Sequence, residues 1–373
     1  MSPSGECIAR QGDMEICVPF GIPGEVVEVE IVHRRRHSAR TRIINLLQAG
    51  PDRVAPPCPH FGFCGGCNWQ HIAYDAQLRF KNEIVRGQLE RIGHLVAPDV
   101  RKCIASPNVY HYRNRIQLVA SARGRLGYRK STHNGHTVVE IDHCAIAAEP
   151  LNQLVRTTSQ AGNVDLRMDD QNAYAISTLG ESHQIFQIAV GSHTYRVTGN
   201  TFFQVNTAVA GLLVQTVINA LRVQSGLPSQ RILDLYCGVG LFTLPIAHAG
   251  AMVMGVDSSP ISTTDARHNL TMAGLKGIVL TEDVATALRQ APIRDTHWDA
   301  VVVDPPRTGM AYEALSQLMA LRPEKIVYVS CNPITLARDA RLLNRNGWAL
   351  RYAQPLDMFP QTHHVEVVAV FDI

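Results

Sequence analysis

The sequence of 373 residues is 46% hydrophobic and has a formal net charge of +3, which is typical of a globular protein and predicts two or three domains. It shows no apolar signal-peptide segment near its start and no apolar run long enough to span a membrane, so we do not expect a secreted or membrane protein. In the cytoplasm expected here, an odd number of cysteines, nine, argues against a disulfide framework and for metal binding or cysteine chemistry.

Charge is unevenly distributed along the chain. Residues 1–130 hold 19 Lys and Arg against 11 Asp and Glu, a balance of +8, whereas residues 131–373 hold 16 against 21, a balance of −5. This asymmetry indicates a front part that binds a polyanion and a rear part with another task. Ordinary solvated arginines would give the same asymmetry, so charge alone leaves both interpretations open.

Three alternating apolar runs at residues 14–20, 24–33 and 39–47 predict strands of a small β-barrel or sheet, with a GIPG turn between the first two. The stretch HRRRHSARTR puts five arginines on or beside these strands, which suits contact with phosphates without base reading. A solvated loop is an equally good interpretation. The five arginines are Arg34, Arg35, Arg36, Arg40 and Arg42.

The next segment, PPCPHFGFCGGCNWQH, holds three cysteines within ten positions, which indicates a metal site; thiolates suit zinc and a [4Fe–4S] cluster equally well. An amphipathic helix is then predicted over residues 75–96 and hairpins over residues 110–144. In these hairpins, arginines alternate with Tyr110, Tyr112 and Tyr128. Such strands are a candidate RNA-facing surface, although tyrosines packed in a core would give the same pattern.

From about residue 200, apolar strand-like runs alternate with helical stretches, which predicts a parallel α/β domain with the seven-strand order of methyltransferases. In the run DLYCGVGLFTLPIA, Gly238 and Gly240 allow a sharp turn against a ligand. Asp257 ends the next strand, where a carboxylate can bind ribose hydroxyls. Because Thr243 replaces the third glycine of a dinucleotide motif, S-adenosylmethionine fits this pocket better than NAD. Asp283 is expected at the adenine edge, unless it is only a turn residue.

Two further motifs follow strands of the same sheet: Asp304 begins DPPRTG and Cys331 lies in VSCNPIT. Carboxyl ends of parallel strands face one crevice, so both should point at one site. A thiolate could add to carbon 6 of uracil and make carbon 5 nucleophilic, after which a base, for which Glu366 is the candidate, must remove the carbon-5 proton. Arg307 stands where adenine methyltransferases carry a stacking aromatic residue, and no Pro-Cys motif of cytosine enzymes is present.

These motifs closely resemble both signature stretches of the RNA 5-methyluridine methyltransferase family: DPPRTG, sixteen residues, IVYVSCNPIT, and then LDMFPQTHHVE. PCPHFGFCGGCNWQH is similar to the iron–sulfur segment of the branch that methylates 23S ribosomal RNA, and residues 1–54 are similar to its TRAM domain. The resemblance covers essentially the whole chain. It implies a cytoplasmic, S-adenosylmethionine-dependent 23S rRNA (uracil-5-)-methyltransferase, expected to act as a monomer with no obligate protein partner.

The family's roles, carried over residue by residue, make Cys331 the nucleophile and Glu366 the base. FFQVN matches the segment that places an aromatic residue, Phe202, against the target base and a glutamine, Gln204, at the cofactor. At one matched position this chain has Leu241, where some relatives carry a polar residue. The remaining matched cofactor positions are Tyr236, Leu241, Asp257, Asp283 and Asp304.

The resemblance also implies a complete cysteine site. Cys58, Cys64 and Cys67 match the family's cluster spacing, and the implied fourth ligand is Cys144 rather than Cys103. It favours a [4Fe–4S] cluster over zinc. The expected role of the cluster is structural or RNA-positioning, because methyl transfer needs no electrons.

We therefore expect a TRAM-like barrel over residues 1–54, a central α+β domain with the cysteine site over 55–197, and a Rossmann-like methyltransferase domain over 198–373. Two other functions stay open. A tRNA T-loop uridine methyltransferase is disfavoured by the TRAM-like, cysteine-rich front. An RNA-binding iron–sulfur protein with an inactive rear domain is disfavoured by the intact catalytic motifs.

Overall fold

A computed structural model of the chain describes residues 1–130, 137–158, 162–177, 183–199, 201–221 and 230–373. Within these ranges the strands form sheets of four, five, two and seven strands. None of the helices in the described ranges is long and apolar enough to cross a bilayer. Residues 131–136, which belong to the predicted hairpins, lie outside the described residues.

The N-terminal sheet has the order β1-β2-β4-β3, with β1 and β3 at its edges. The sequence predicted β2, β3 and β4, whereas β1 was not predicted. β1 pairs with β2 through a two-residue turn in which Gly12 adopts φ +57°. β2 and β4 run parallel, and β3 and β4 run antiparallel. The strands are β1 Cys7–Gln11, β2 Met14–Val18, β3 Val26–Arg34 and β4 Ser38–Gln48.

Helix α1 spans Tyr74–Arg91 and is shorter than predicted. Gly93 ends it, because the Gly93 amide turns back to the Gln88 carbonyl and a Cβ at Gly93 would lie 2.3 Å from the Leu89 carbonyl oxygen. His94 then adopts φ +52°, which reverses the chain. The apolar residues that follow were therefore wrongly included in the helix.

The central sheet has the order β7-β6-β5-β8-β9 with antiparallel pairing throughout, and helix α2 packs against its last two strands. Its core contains Tyr112, whose hydroxyl donates to the Pro360 carbonyl at 3.0 Å. Of the two interpretations left open by the sequence, packing in a core is therefore the one that holds for Tyr112. The elements are β5 Arg115–Ala120, β6 Leu126–Arg129, β7 Val138–Glu140, α2 Glu149–Thr157, β8 Asn163–Met168 and β9 Ala173–Ser177.

The rear half confirms the predicted seven-strand order, β14-β13-β12-β15-β16-β18-β17. The first five strands are parallel, and β18 runs antiparallel to both of its neighbours. The strands are β12 Arg231–Leu235, β13 Met252–Asp257, β14 Ile278–Thr281, β15 Ala300–Val303, β16 Lys325–Ser330, β17 Ala349–Leu356 and β18 Glu366–Asp372. The helices are α3 Thr207–Leu221, α4 Thr243–His248, α5 Pro260–Met272, α6 Val284–Arg289, α7 Ala291–Arg294, α8 Tyr312–Leu321 and α9 Pro333–Arg345.

The hydrophobic cores on both faces of this sheet include residues from earlier in the chain. A hairpin of β10 (Ile185–Val190) and β11 (His193–Thr198) contributes Phe186 and Tyr195 to one core. Helix α1 contributes Leu89 to the other. The division of the chain at residues 54 and 197 remains a prediction, and one core extends across the second of these boundaries.

Candidate active site

The predicted site residues meet at the carboxyl-terminal edge of the seven-stranded sheet. Tyr236, Asp304 and Cys331 directly follow β12, β15 and β16. Because β18 runs antiparallel, its first residue, Glu366, reaches the same edge, and the pairing of Ser330 with Val367 places it beside the start of the Cys331 loop. Topology therefore brings together residues from four strands, as expected for an open α/β sheet.

The glycine turn after β12 is held by the end of β13. Asp257 accepts hydrogen bonds from the Gly238 amide at 3.0 Å and the Ser259 amide at 2.8 Å. Gly238 and Gly240 adopt φ +55° and +90°, and a Cβ at Gly238 would meet no described atom within 4 Å. The turn therefore borders an open space that a ligand can fill. Tyr236 also adopts a left-handed φ of +63°, a strained conformation for a residue with a Cβ.

Asp234 is a buried carboxylate that the sequence reading missed. Thr243 donates a hydrogen bond to its Oδ2 at 2.5 Å, whereas its Oδ1 has no partner among the described residues. Burial raises the pKa of Asp234 to about 7; the bond from Thr243 opposes this rise and the nearby Asp304 adds to it. An unpaired buried oxygen beside the glycine turn is a feature that a bound ligand would satisfy. The spacing of Asp234 and Thr243 across the turn was the available sequence signal.

Asp283 and Leu241 have structural roles in addition to their predicted contacts. The Asp283 carboxylate caps α6 by accepting the Thr286 amide at 3.1 Å. Leu241 is buried in the core, and its carbonyl accepts the Tyr195 hydroxyl at 3.0 Å. Burial raises the pKa of Tyr236 to about 12, and the negative charge of Asp283 adds to this effect. The cofactor contacts of these residues remain predictions.

The segment before α3 carries the residues of the FFQVN motif. Phe202 is 70% exposed, which is unusual for a phenylalanine, whereas Gln204 is buried. The main chain here is held by Asn114, whose side chain donates to the Gln204 carbonyl at 3.3 Å and whose amide donates to the Val205 carbonyl at 2.9 Å. The exposed ring is thus presented on an anchored segment.

Cys331, Glu366 and Asp304 form an electrostatically coupled group. Burial raises the pKa of the Cys331 thiol to about 12; Glu366 and Asp304 raise it further, and Arg307 opposes them. Burial also raises the pKa of Glu366 well above its ordinary value, and the charge of Asp304 adds to that rise. Glu366 is only 2% exposed. Burial therefore favours the uncharged forms of both Cys331 and Glu366.

The four predicted cysteine ligands line one pocket, together with Tyr128. Tyr128 packs against the central core with its hydroxyl 3.7 Å from the Cys144 sulfur, which supports the packing interpretation of this tyrosine. The Gly66 amide donates to the Cys64 sulfur at 3.3 Å. Burial raises the pKa of Cys64 to about 11 and that of Cys67 to about 12.

Cys103 does not line this pocket and instead lies near Lys81 and Asp357. Among the described residues, no three of the four pocket sulfurs lie within 4.8 Å of one another.

A family model described as tRNA (Uracil-5-)-methyltransferase matches residues 181–372, which is 192 of the 373 residues. The chain belongs to this uracil-5-methyltransferase family. The match includes the whole seven-stranded sheet, the hairpin β10–β11 and every predicted catalytic and cofactor-binding residue.

Similarity to known proteins extends over nearly the full length of the chain. The 23S rRNA (uracil(1939)-C(5))-methyltransferase RlmD of Shewanella amazonensis is 32% identical over 99% of this chain and 93% of its own. An uncharacterized RNA methyltransferase of Chlorobaculum tepidum is 30% identical over 94% of this chain and 89% of its own. The structure of the Pyrococcus abyssi tRNA (uracil-54, C5)-methyltransferase with S-adenosyl-L-homocysteine is 26% identical, with a TM-score of 0.75 over 99% of both chains.

The effect of Glu366 on the ionisation of Cys331 in this uracil-5-methyltransferase can be tested by measuring how the reactivity of the thiol depends on pH. We expect Glu366→Gln to lower the pKa of Cys331, because the substitution removes a negative charge beside the thiol. Iodoacetamide should therefore alkylate Cys331 faster in the variant than in the parent, as measured by peptide mass spectrometry across an alkaline pH series.

Cys103 is the internal control for this measurement. Burial and the charge of Asp357, not Glu366, raise its pKa, so its alkylation profile should not change. An unchanged Cys331 profile in Glu366→Gln would show that the two groups are not electrostatically coupled.

Proposed function

We propose that the protein transfers a methyl group from S-adenosylmethionine to carbon 5 of a uridine in 23S ribosomal RNA. The observation that carries this proposal is the convergence of Cys331, Glu366 and Asp304 at one edge of the sheet in a member of the uracil-5-methyltransferase family. Full-length similarity to RlmD proteins supports ribosomal RNA as the substrate. Such a substrate would place the enzyme in the cytoplasm.

The residues around the glycine turn fit this cofactor. Asp257 would bind the ribose hydroxyls, Asp283 the adenine edge, and the unpaired oxygen of Asp234 a polar group of the ligand. Gln204 and Asp304 would line the end nearer the catalytic residues. When bound, S-adenosylmethionine supplies an electrophilic methyl group.

Uracil carbon 5 needs activation before it can be methylated, and Cys331 would provide it. The thiolate sulfur bonds to carbon 6, and the electron pair of the carbon 5–carbon 6 double bond moves into an enolate that makes carbon 5 nucleophilic. The exposed ring of Phe202 would stack on the target base and hold it over the thiol. Arg307 is the cation that favours ionisation of Cys331.

Glu366 would complete the reaction. After methylation, its carboxylate takes the carbon-5 proton, the carbon–hydrogen electrons restore the double bond, and the bond from carbon 6 to sulfur breaks with its electron pair returning to Cys331. Burial beside Asp304 raises the pKa of Glu366, which makes its ionised form a stronger base than an exposed carboxylate.

We further propose that Cys58, Cys64, Cys67 and Cys144 hold a [4Fe–4S] cluster. The donor set fits, since four thiols line one pocket and a backbone amide already donates to one sulfur. The similarity of the segment around Cys58, Cys64 and Cys67 to an iron–sulfur segment favours a cluster over zinc. The cluster would have a structural or RNA-positioning role, because methyl transfer needs no electrons.

The N-terminal sheet would contribute to RNA binding. Arg40 and Arg42 form ion pairs with Glu6 and Glu30, so their charges are partly neutralised. Arg34, Arg35 and Arg36, by contrast, are exposed at the β3–β4 turn. We propose this turn as a phosphate contact within a TRAM-like domain of a monomeric enzyme.

The proposed roles of Cys331 and Glu366 predict the reaction step at which a variant of each residue stalls. Cys331→Ala should form no covalent complex with RNA, because no sulfur can add to carbon 6. Glu366→Gln should still form the bond from Cys331 to carbon 6 and methylate carbon 5, but it should not remove the carbon-5 proton. A denaturation-resistant protein–RNA band should therefore accumulate in the presence of S-adenosylmethionine. Denaturing gel electrophoresis and nucleoside mass spectrometry of the trapped RNA measure both outcomes.

RNA carrying 5-fluorouridine at the target should trap the parent enzyme in the same way, because fluorine cannot leave as a cation. The double variant Cys331→Ala/Glu366→Gln is the matched control and should trap nothing. A band that persists without Cys331 would assign the nucleophile to another residue, with Cys237 the nearest by motif position.

The cluster proposal predicts about four iron atoms per chain and a brown colour after anaerobic purification. Cys144→Ser should lose the iron, because it removes one ligand, whereas Cys103→Ser should keep it, because that thiol lies outside the pocket. Iron analysis and absorption spectra test this pair. Stoichiometric zinc without iron would overturn the assignment.

The substrate is tested by mapping 5-methyluridine in RNA from a strain that lacks the gene. We expect one or more 5-methyluridines to disappear from 23S rRNA while tRNA keeps its own, with restoration by the parent gene but not by the Cys331→Ala gene. Loss from tRNA instead would favour the activity named for the Pyrococcus abyssi protein. No loss from either RNA, together with no binding of S-adenosylmethionine, would favour a non-catalytic RNA-binding protein.

A further inference from the structure

Glu366 is preceded by a loop whose position depends on the front half of the chain. This catalytic loop, residues 357–365, joins β17 to β18 and contains Gln361 and His363. Gln361 is 3% exposed and adopts φ +68°, a strained conformation that persists only where the surroundings hold it. Its side chain and its amide are both bonded to Gln77, which lies 284 residues earlier in the sequence.

Two further contacts to Gln361 come from the segment directly after Cys67. The Asn68 and Trp69 amides both donate to the Gln361 carbonyl, at 3.2 and 3.0 Å. The Asn68 side chain also holds His363: its Oδ1 accepts the His363 amide at 3.1 Å, and its Nδ2 lies 2.8 Å from the His363 ring nitrogen Nδ1. Asn68 thus bonds to the loop at Gln361 and at His363, and His363 is three residues before Glu366.

The Asn68 segment is itself fixed by the cysteine site. The Gln70 side chain lines the same pocket as the four cysteines and accepts the Cys58 amide at 3.3 Å. Gln70 is 2% exposed and Trp69 is fully buried, with its indole N–H donating to the Gly5 carbonyl at 2.8 Å. A displacement of Cys67 would therefore move Asn68, to which it is bonded.

We propose that Asn68 is a positioning residue for Glu366, and that a filled cysteine site keeps Asn68 in place. This inference rests on the proposed function, because it assumes that Glu366 removes the carbon-5 proton. It assigns to the cysteine site a task beyond folding, which is to couple metal occupancy to the proton-removal step.

The first test uses Asn68→Ala, which removes both side-chain bonds to His363. Elimination should slow by ~10- to 100-fold, because a misplaced base loses its alignment with the proton. The methylated protein–RNA adduct should accumulate as it does in Glu366→Gln, with unchanged affinity for S-adenosylmethionine. Asn68→Asp keeps the oxygen that accepts the His363 amide and should restore turnover.

Asn346→Ala is the matched control, since it removes an exposed asparagine side chain at the end of α9 that donates to the Leu342 carbonyl. It should accumulate no adduct. If Glu366→Gln traps RNA and Asn68→Ala does not, the inference is wrong and the proposed function stands. If Glu366→Gln traps none, the proposed base is wrong and the inference fails with it.

The second test does not depend on turnover. Hydrogen exchange is measured for the anaerobically purified parent protein and for the same protein after its metal has been removed with a chelator and an oxidant. The amides of Gln361 and His363, which donate to Gln77 and Asn68, should lose protection when the metal is removed. Exchange that rises in residues 58–67 but not in 361–365 would overturn the coupling.

Discussion

The arrangement of the active site depends on one buried ion pair, between Lys81 of α1 and Asp357 at the start of the catalytic loop. Both side chains have no exposed surface, and Lys81 also donates to the Phe359 carbonyl at 3.1 Å. Removing one partner of such a pair costs ~3–5 kcal/mol, because the other charge stays buried without compensation. The pair therefore fixes the loop before Glu366 to a helix that lies outside the region matched by the family model.

Buried carboxyl groups are concentrated at the carboxyl-terminal edge of the sheet. Asp234, Asp304 and Glu366 are each held at a raised pKa, first by burial and, for Asp234 and Glu366, also by a neighbouring acid. Such a site favours a cationic ligand, and the proposed cofactor carries a sulfonium. The same burial that makes ionisation of these acids costly makes Glu366 an effective proton acceptor once it is ionised. The burial of these carboxyl groups would thus contribute both to cofactor binding and to proton removal.

The order of strands, the glycine turn and the meeting of Cys331 with Glu366 could be predicted, because continuous apolar runs and motif positions at strand ends are local in the sequence. Long-range pairings could not. Lys81 lies in the predicted amphipathic helix, and only its partner 276 residues later explains why it is buried. For Tyr112, alternation identifies the two faces of a strand without saying which face is covered, so an RNA-facing ring and a packed ring could not be told apart. Asp234 was missed because its unpaired oxygen is a property of packing.

The hairpin β10–β11 has a practical consequence for dividing the enzyme. Its residues Phe186 and Tyr195 lie in the core of the seven-stranded sheet, and α5 holds its backbone through Asp265, which accepts the Thr198 amide at 2.6 Å, and Asn269, which accepts the Arg196 amide at 2.8 Å. A fragment cut at residue 198 would expose this apolar surface to water and remove the Arg196 groups that pair with the buried side chains of Asp265 and Asn269. Exchange of front and rear halves between related enzymes should therefore keep the hairpin with the rear half.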